Sequence, residues 1–77
     1  MSDDHEWNKD FYISGRVEIE IEGYGSFGSD QYLTLIERAM CVLIVLTGNT
    51  FNGVPEKILE LVSADPKTCK AVFRLIG

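Results

Sequence analysis

The segment Val17–Met40, "VEIEIEGYGSFGSDQYLTLIERAM", decides how the chain is read. It opens as an alternation of apolar and acidic residues and closes as a helix-like run. Between the two sits Gly23-Tyr24-Gly25-Ser26-Phe27-Gly28, a literal G-x-G-x-x-G. That spelling belongs to dinucleotide-binding loops when a buried strand precedes it and a helix follows. The surroundings argue otherwise. A strand that alternates with Glu18, Glu20 and Glu22 is buried on one face only, whereas a nucleotide-binding parallel strand is buried on both. The same glutamates would stand beside the phosphates. Residues 44–52 hold no acid for a ribose. The glycines therefore read as a tight strand-to-helix connection, with Tyr24 and Phe27 packed under it, and no cofactor is expected.

Working upstream, Phe11–Glu22 has the period of a half-buried strand. Phe11, Ile13, Val17, Ile19 and Ile21 fall on one face, and Tyr12, Ser14, Arg16, Glu18, Glu20 and Glu22 on the other. Residues 1–10 read as a flexible acidic N-terminal arm, with Trp7 as an anchor for the core or for an interface, the core reading being preferred. Residues 11–77 read as a single small domain, the most that 77 residues allow.

Downstream, Ser29 and Asp30 are helix-capping residues. Tyr32, Leu33, Leu35, Ile36, Ala39, Met40 and Leu43 then follow at helical spacing. Past Arg38 the run is apolar on every side, which predicts burial all round; a strand over 41–47 is the alternative. Gly48 is the expected C-terminal stop. Asn52-Gly53 reads as a turn and Pro55 as the first residue of a second helix, with Val54, Ile58, Leu59, Leu61 and Val62 inward. Asp65-Pro66 starts a third, with Cys69, Val72, Phe73 and Ile76 on one side and Lys67, Lys70 and Arg74 on the other. A C-terminal strand over 67–76 is the alternative. The expected class is α+β: one long N-terminal strand, as a short hairpin or an intermolecular ribbon, followed by about three helices. The strand needs a ladder partner, which favours a homodimer.

The net charge is −5 and lies at the N-terminal end. Residues 1–30 hold eight acids and two bases, and residues 31–77 hold four acids and five bases. Such a surface repels phosphate and attracts basic surfaces. A strand followed by helices has the outline of a ribbon-helix-helix regulator, but its outward face would turn Glu18, Glu20 and Glu22 toward DNA. That reading ranks third, and direct nucleic-acid contact is not expected.

No catalytic or metal-binding constellation is evident. His5, the single histidine, lacks converging ligands. Cys41 and Cys69 show no metal spacing and read as buried, inert thiols. The longest apolar run, Ala39–Leu46, is too short for a membrane span. With "MSDDHEW" at the start no secretory signal is expected, and a cytoplasmic protein follows.

The chain therefore reads as a small acidic protein-binding module and not an enzyme. Its expected form is an inhibitor or adaptor that offers an acidic strand face to the nucleic-acid-binding site of a partner protein. By size and charge this is how small phage or mobile-element anti-defence proteins act. The residues expected to carry binding are Glu18, Glu20, Glu22, Arg16, Tyr12 and Trp7. The alternative is a homodimeric structural or assembly subunit.

Overall fold

The computed structural model describes residues 7–49 and 58–76. In chain order they form β1 (Tyr12–Ile13), β2 (Val17–Ile21), β3 (Gly25–Ser29), β4 (Leu33–Thr34), α1 (Leu35–Thr47), β5 (Leu59–Asp65) and β6 (Lys70–Leu75). Four strands make one sheet in the order β3-β2-β6-β5, and β1 pairs with β4 in a separate two-stranded ladder. The expected strand with about three helices is thus corrected to six strands and one helix among the described residues.

The alternation in Phe11–Glu22 is real, but the strand is not continuous. Gly15 takes a positive φ of 89° and separates β1 from β2. Ile13, Val17, Ile19 and Ile21 are buried as the period requires, whereas Phe11 is exposed. β2 and β3 form a hairpin pairing Val17 with Ser29 through to Ile21 with Gly25. The turn holds Gly23 at φ 85° and is closed by the Tyr24 amide donating to the Ile21 carbonyl at 2.9 Å. The G-x-G-x-x-G is therefore a hairpin turn and an edge strand, and it does not run directly into a helix. Tyr24 and Phe27 do not pack beneath it, since about half of each is exposed.

The other flank of β2 is closed by β6, which runs parallel to it with Glu18 opposite Lys70 and Ile21 opposite Phe73. The Glu18 and Glu22 amides donate to the Cys69 and Phe73 carbonyls at 2.8 and 2.9 Å. With both flanks of β2 paired inside the chain, an intermolecular ribbon is not needed to complete it.

α1 was expected to begin near Asp30 but starts after Thr34. Tyr12 pairs with Thr34 and Ile13 with Leu33, so β1 holds this stretch extended. Thr34 then caps the helix. Its Oγ1 accepts from the Glu37 amide at 3.2 Å, and Glu37 Oε1 accepts from the Thr34 amide at 2.9 Å. This reciprocal box satisfies two of the donors a helix start leaves free. Thr34→Ala is expected to cost about 1 kcal/mol, read from a urea midpoint. A loss below about 0.3 kcal/mol would assign the helix start to β1–β4 pairing instead. Gly48 ends the helix as expected, at φ 74°, its amide donating to Ile44 at 2.8 Å. Residues 41–47 are helical.

The second and third helices are corrected to the hairpin β5–β6. Pro55 and Asn52-Gly53 lie outside the described residues. In β5, a register shift between Leu61 and Ser63 inserts an extra residue. Leu59 and Leu61 face the core before it and Ala64 after it, so the bulge breaks the alternation that would mark a strand. Asp65-Pro66 opens the turn between the strands. Asp65 Oδ1 accepts from the Lys67 amide at 3.0 Å, an Asx turn with no helix behind it. In β6, Ala71 and Phe73 are fully buried while Lys70 and Arg74 face out.

α1 lies across one face of the sheet. Its Leu35, Ile36, Ala39, Val42 and Leu43 meet Val17, Ile19, Ile21, Leu59, Ala71 and Phe73, and Trp7 and Ile13 complete the core.

Candidate protein-binding face

Because successive strand residues point to opposite faces, Ile19 and Ile21 under α1 place Glu18, Glu20 and Glu22 on the face the helix leaves open. Strand register extends the pattern. Glu18 stands opposite Lys70, Lys70 opposite Asp65, and Arg74 opposite Glu60. The open face is thus striped: acids on β2, bases on β6, acids again on β5. These side chains are exposed or half-buried.

The stripes touch. Lys70 Nζ lies 3.2 Å from Glu20 Oε1. Arg74 Nε donates to Glu22 Oε1 at 3.1 Å, and its Nη1 lies 3.8 Å from Glu60 Oε1. Each partner is between 39% and 53% exposed, so each pair contributes at most about 1 kcal/mol and is weakened by salt. The pairs also let Val72 stand between two basic residues of β6. The stems of Lys70 and Arg74, held toward β2, flank the half-buried Val72. Glu18 and Arg16 make no ion pair among the described residues. Arg16 lies over the backbone of Gly28, where a Cβ would overlap its guanidinium.

Of the residues singled out from sequence, the structure brings Arg16, Glu18, Glu20 and Glu22 to one sheet face. Tyr12 belongs to the two-stranded ladder, where its ring stacks on that of Tyr32 at 5.4 Å with 25° between planes. Trp7 is buried in the core. Lys67 sits in the β5–β6 turn, apart from the Lys70 and Arg74 stripe. His5 lies outside the described residues. Cys41 and Cys69 are free and exposed, contrary to the expectation of buried thiols.

Two features were not anticipated. The first is Arg38, which is fully buried on α1. Nη1 donates to the Gly15 carbonyl at 2.8 Å and to the Ser29 carbonyl at 3.0 Å, and Nη2 donates to the Ile13 carbonyl. One side chain thereby ties β1, the β1–β2 connection and the end of β3 to the helix. Burial pushes its pKa below the ordinary value, and the Asp30 carboxylate opposes that shift. Its sequence signal is position: Arg38 is three residues after Leu35 and four before Val42, on the stripe that faces the core. The second is a cleft of about 210 Å³ between β3 and α1, lined by Phe27, Ser29, Asp30, Cys41 and Val45 among others.

No helix among the described residues is long and apolar enough to cross a membrane. Comparison with protein-family models, curated proteins and solved structures finds no match for this chain. Nothing beyond size and charge therefore links it to phage or mobile-element inhibitors.

Proposed function

We propose that this chain is a protein-binding module that presents the helix-free face of its sheet to a basic surface on a partner protein. The observation behind the reading is the acid excess of that face. Glu18, Glu20, Glu22, Glu60 and Asp65 stand against Arg16, Lys70 and Arg74. A broad striped face suits a protein partner, whereas small ligands favour enclosed, largely apolar pockets. The existing ion pairs are exposed, so exchanging Lys70 or Arg74 for a partner's cation costs little.

The reading has a test in which two variants act in opposite directions. Once a partner is captured from the native host and purified, the change Glu18→Gln, Glu20→Gln and Glu22→Gln slows association roughly 10-fold at low salt. The change Lys70→Gln and Arg74→Gln speeds it, because it uncovers the same glutamates. Added salt narrows both differences. If neither variant alters the association rate, the sheet face is not the contact surface.

A further inference from the structure

The sheet has two outer strands, and they are protected differently. β5 carries a bulge between Leu61 and Ser63, with Glu60 and Asp65 on either side of it. Bulges and charges are the usual means of preventing edge-to-edge pairing. β3, Gly25-Ser26-Phe27-Gly28-Ser29, has no charge, no proline and an unbroken register with β2. On β2 the amides of Glu18 and Glu22 serve β6, so the groups of Val17, Ile19 and Ile21 serve β3. Their partners Ser29, Phe27 and Gly25 are used in that ladder. The backbone N–H and C=O groups of Ser26 and Gly28 therefore point away from the sheet. No described strand pairs with that edge.

An unpaired pair of donors and acceptors at strand spacing is complementary to one object, an extended backbone. The flanking chemistry narrows its side chains. A residue opposite Phe27 would project into the cleft toward Phe27, Cys41 and Val45, where Phe27 and Val45 are 49% and 56% exposed. An apolar side chain fits there. A residue opposite Gly28 would project to the other face, beside the guanidinium of Arg16, which has no ion pair among the described residues. An acidic side chain fits there. A residue opposite Ser29 returns to the cleft side, where Asp30 is exposed at its end. A basic side chain fits there.

We infer that β3 accepts an extended peptide segment of a partner protein as a fifth strand, bound antiparallel and reading basic, acidic, apolar from its N-terminal side. The site borders the striped sheet face at Arg16, but its backbone edge and its cleft lie off that face, so Val45→Asp tests it without touching Glu18, Glu20 or Glu22.

The test is an NMR titration of the full chain with the blocked hexapeptide Thr-Lys-Glu-Leu-Thr-Val, together with amide exchange. Binding with a Kd on the order of 100 μM is expected. The Ser26 and Gly28 amides should be unprotected in the free protein and slow down when the peptide is bound. Exchanging Lys and Glu in the peptide should weaken binding about 10-fold, as should Val45→Asp, a substitution at an exposed helix position. Val62→Asp on β5 should leave binding unchanged. Ser26 and Gly28 amides already protected without peptide would overturn the inference, because the edge would then be covered by the chain itself or by a second copy. Absence of binding at millimolar peptide, or binding indifferent to Val45→Asp, would overturn it equally.

Discussion

Arg38→Met destabilises the fold by about 3–5 kcal/mol, the cost of leaving several backbone carbonyls without their donor. The side chain is fully buried, and its guanidinium satisfies carbonyls of Ile13, Gly15 and Ser29. Methionine fills similar space but donates nothing, so three acceptors from three chain segments are left dry or must admit water. Each unmet buried group costs about 1–3 kcal/mol. A chain of this length has a total stability of roughly 4–12 kcal/mol. The variant should therefore melt on the order of 20 °C lower. Lysine at the same site keeps the charge but not the planar fork that reaches separated carbonyls, so Arg38→Lys should fall between wild type and Met. Urea unfolding followed by circular dichroism decides the matter. A loss under about 1 kcal/mol for Met would mean that the three segments hold together without the clamp.

The second large effect is at Phe73. It is fully buried, and its register neighbours are Ile21 on β2 and Leu61 on β5. Phe73→Ala removes the largest apolar side chain among the fully buried residues and leaves a cavity under α1, at a cost of about 3–5 kcal/mol. Phe73→Leu should cost less, about 1–1.5 kcal/mol. An alanine scan of Lys70–Leu75 carries more information than either alone. A strand buried on one face gives losses at Phe73 and Leu75 with small effects at Lys70, Val72 and Arg74, and Ala71 is tested with Gly. A helix would give large losses at both Val72 and Phe73. That outcome would refute β6 as described.

The legible part of this fold was local. Val17, Ile19 and Ile21 alternate with glutamates, and their burial follows from that period alone. The run Leu35–Thr47 has no breaker before Gly48, and it is a helix for that reason. The Thr34-x-x-Glu37 box was also written in the residues, yet the earlier capping residues Ser29 and Asp30 drew the helix start away from it. Of the candidate site, the common face of Glu18, Glu20 and Glu22 was visible from the same alternation. Their neighbours were not, because the ion pairs with Lys70 and Arg74 depend on which strand lies beside β2.

What the sequence by itself determined was therefore one half-buried acidic strand and one apolar helix with its glycine stop. What only the tertiary structure decided was the state of the C-terminal third. Leu59–Asp65 carries a bulge that interrupts its alternation, and Lys70–Leu75 places Val72 between two cations. Short segments of this kind have no strong intrinsic preference, and packing overrides what little they have. The open ladder of β2 and the apolar underside of α1 supplied the missing term: as strands, these residues satisfy the first and bury Leu59, Ala71 and Phe73 against the second. Arg38 was settled in the same way. A cation on the core stripe of a helix is costly until three backbone carbonyls, brought together only by the folded chain, surround it.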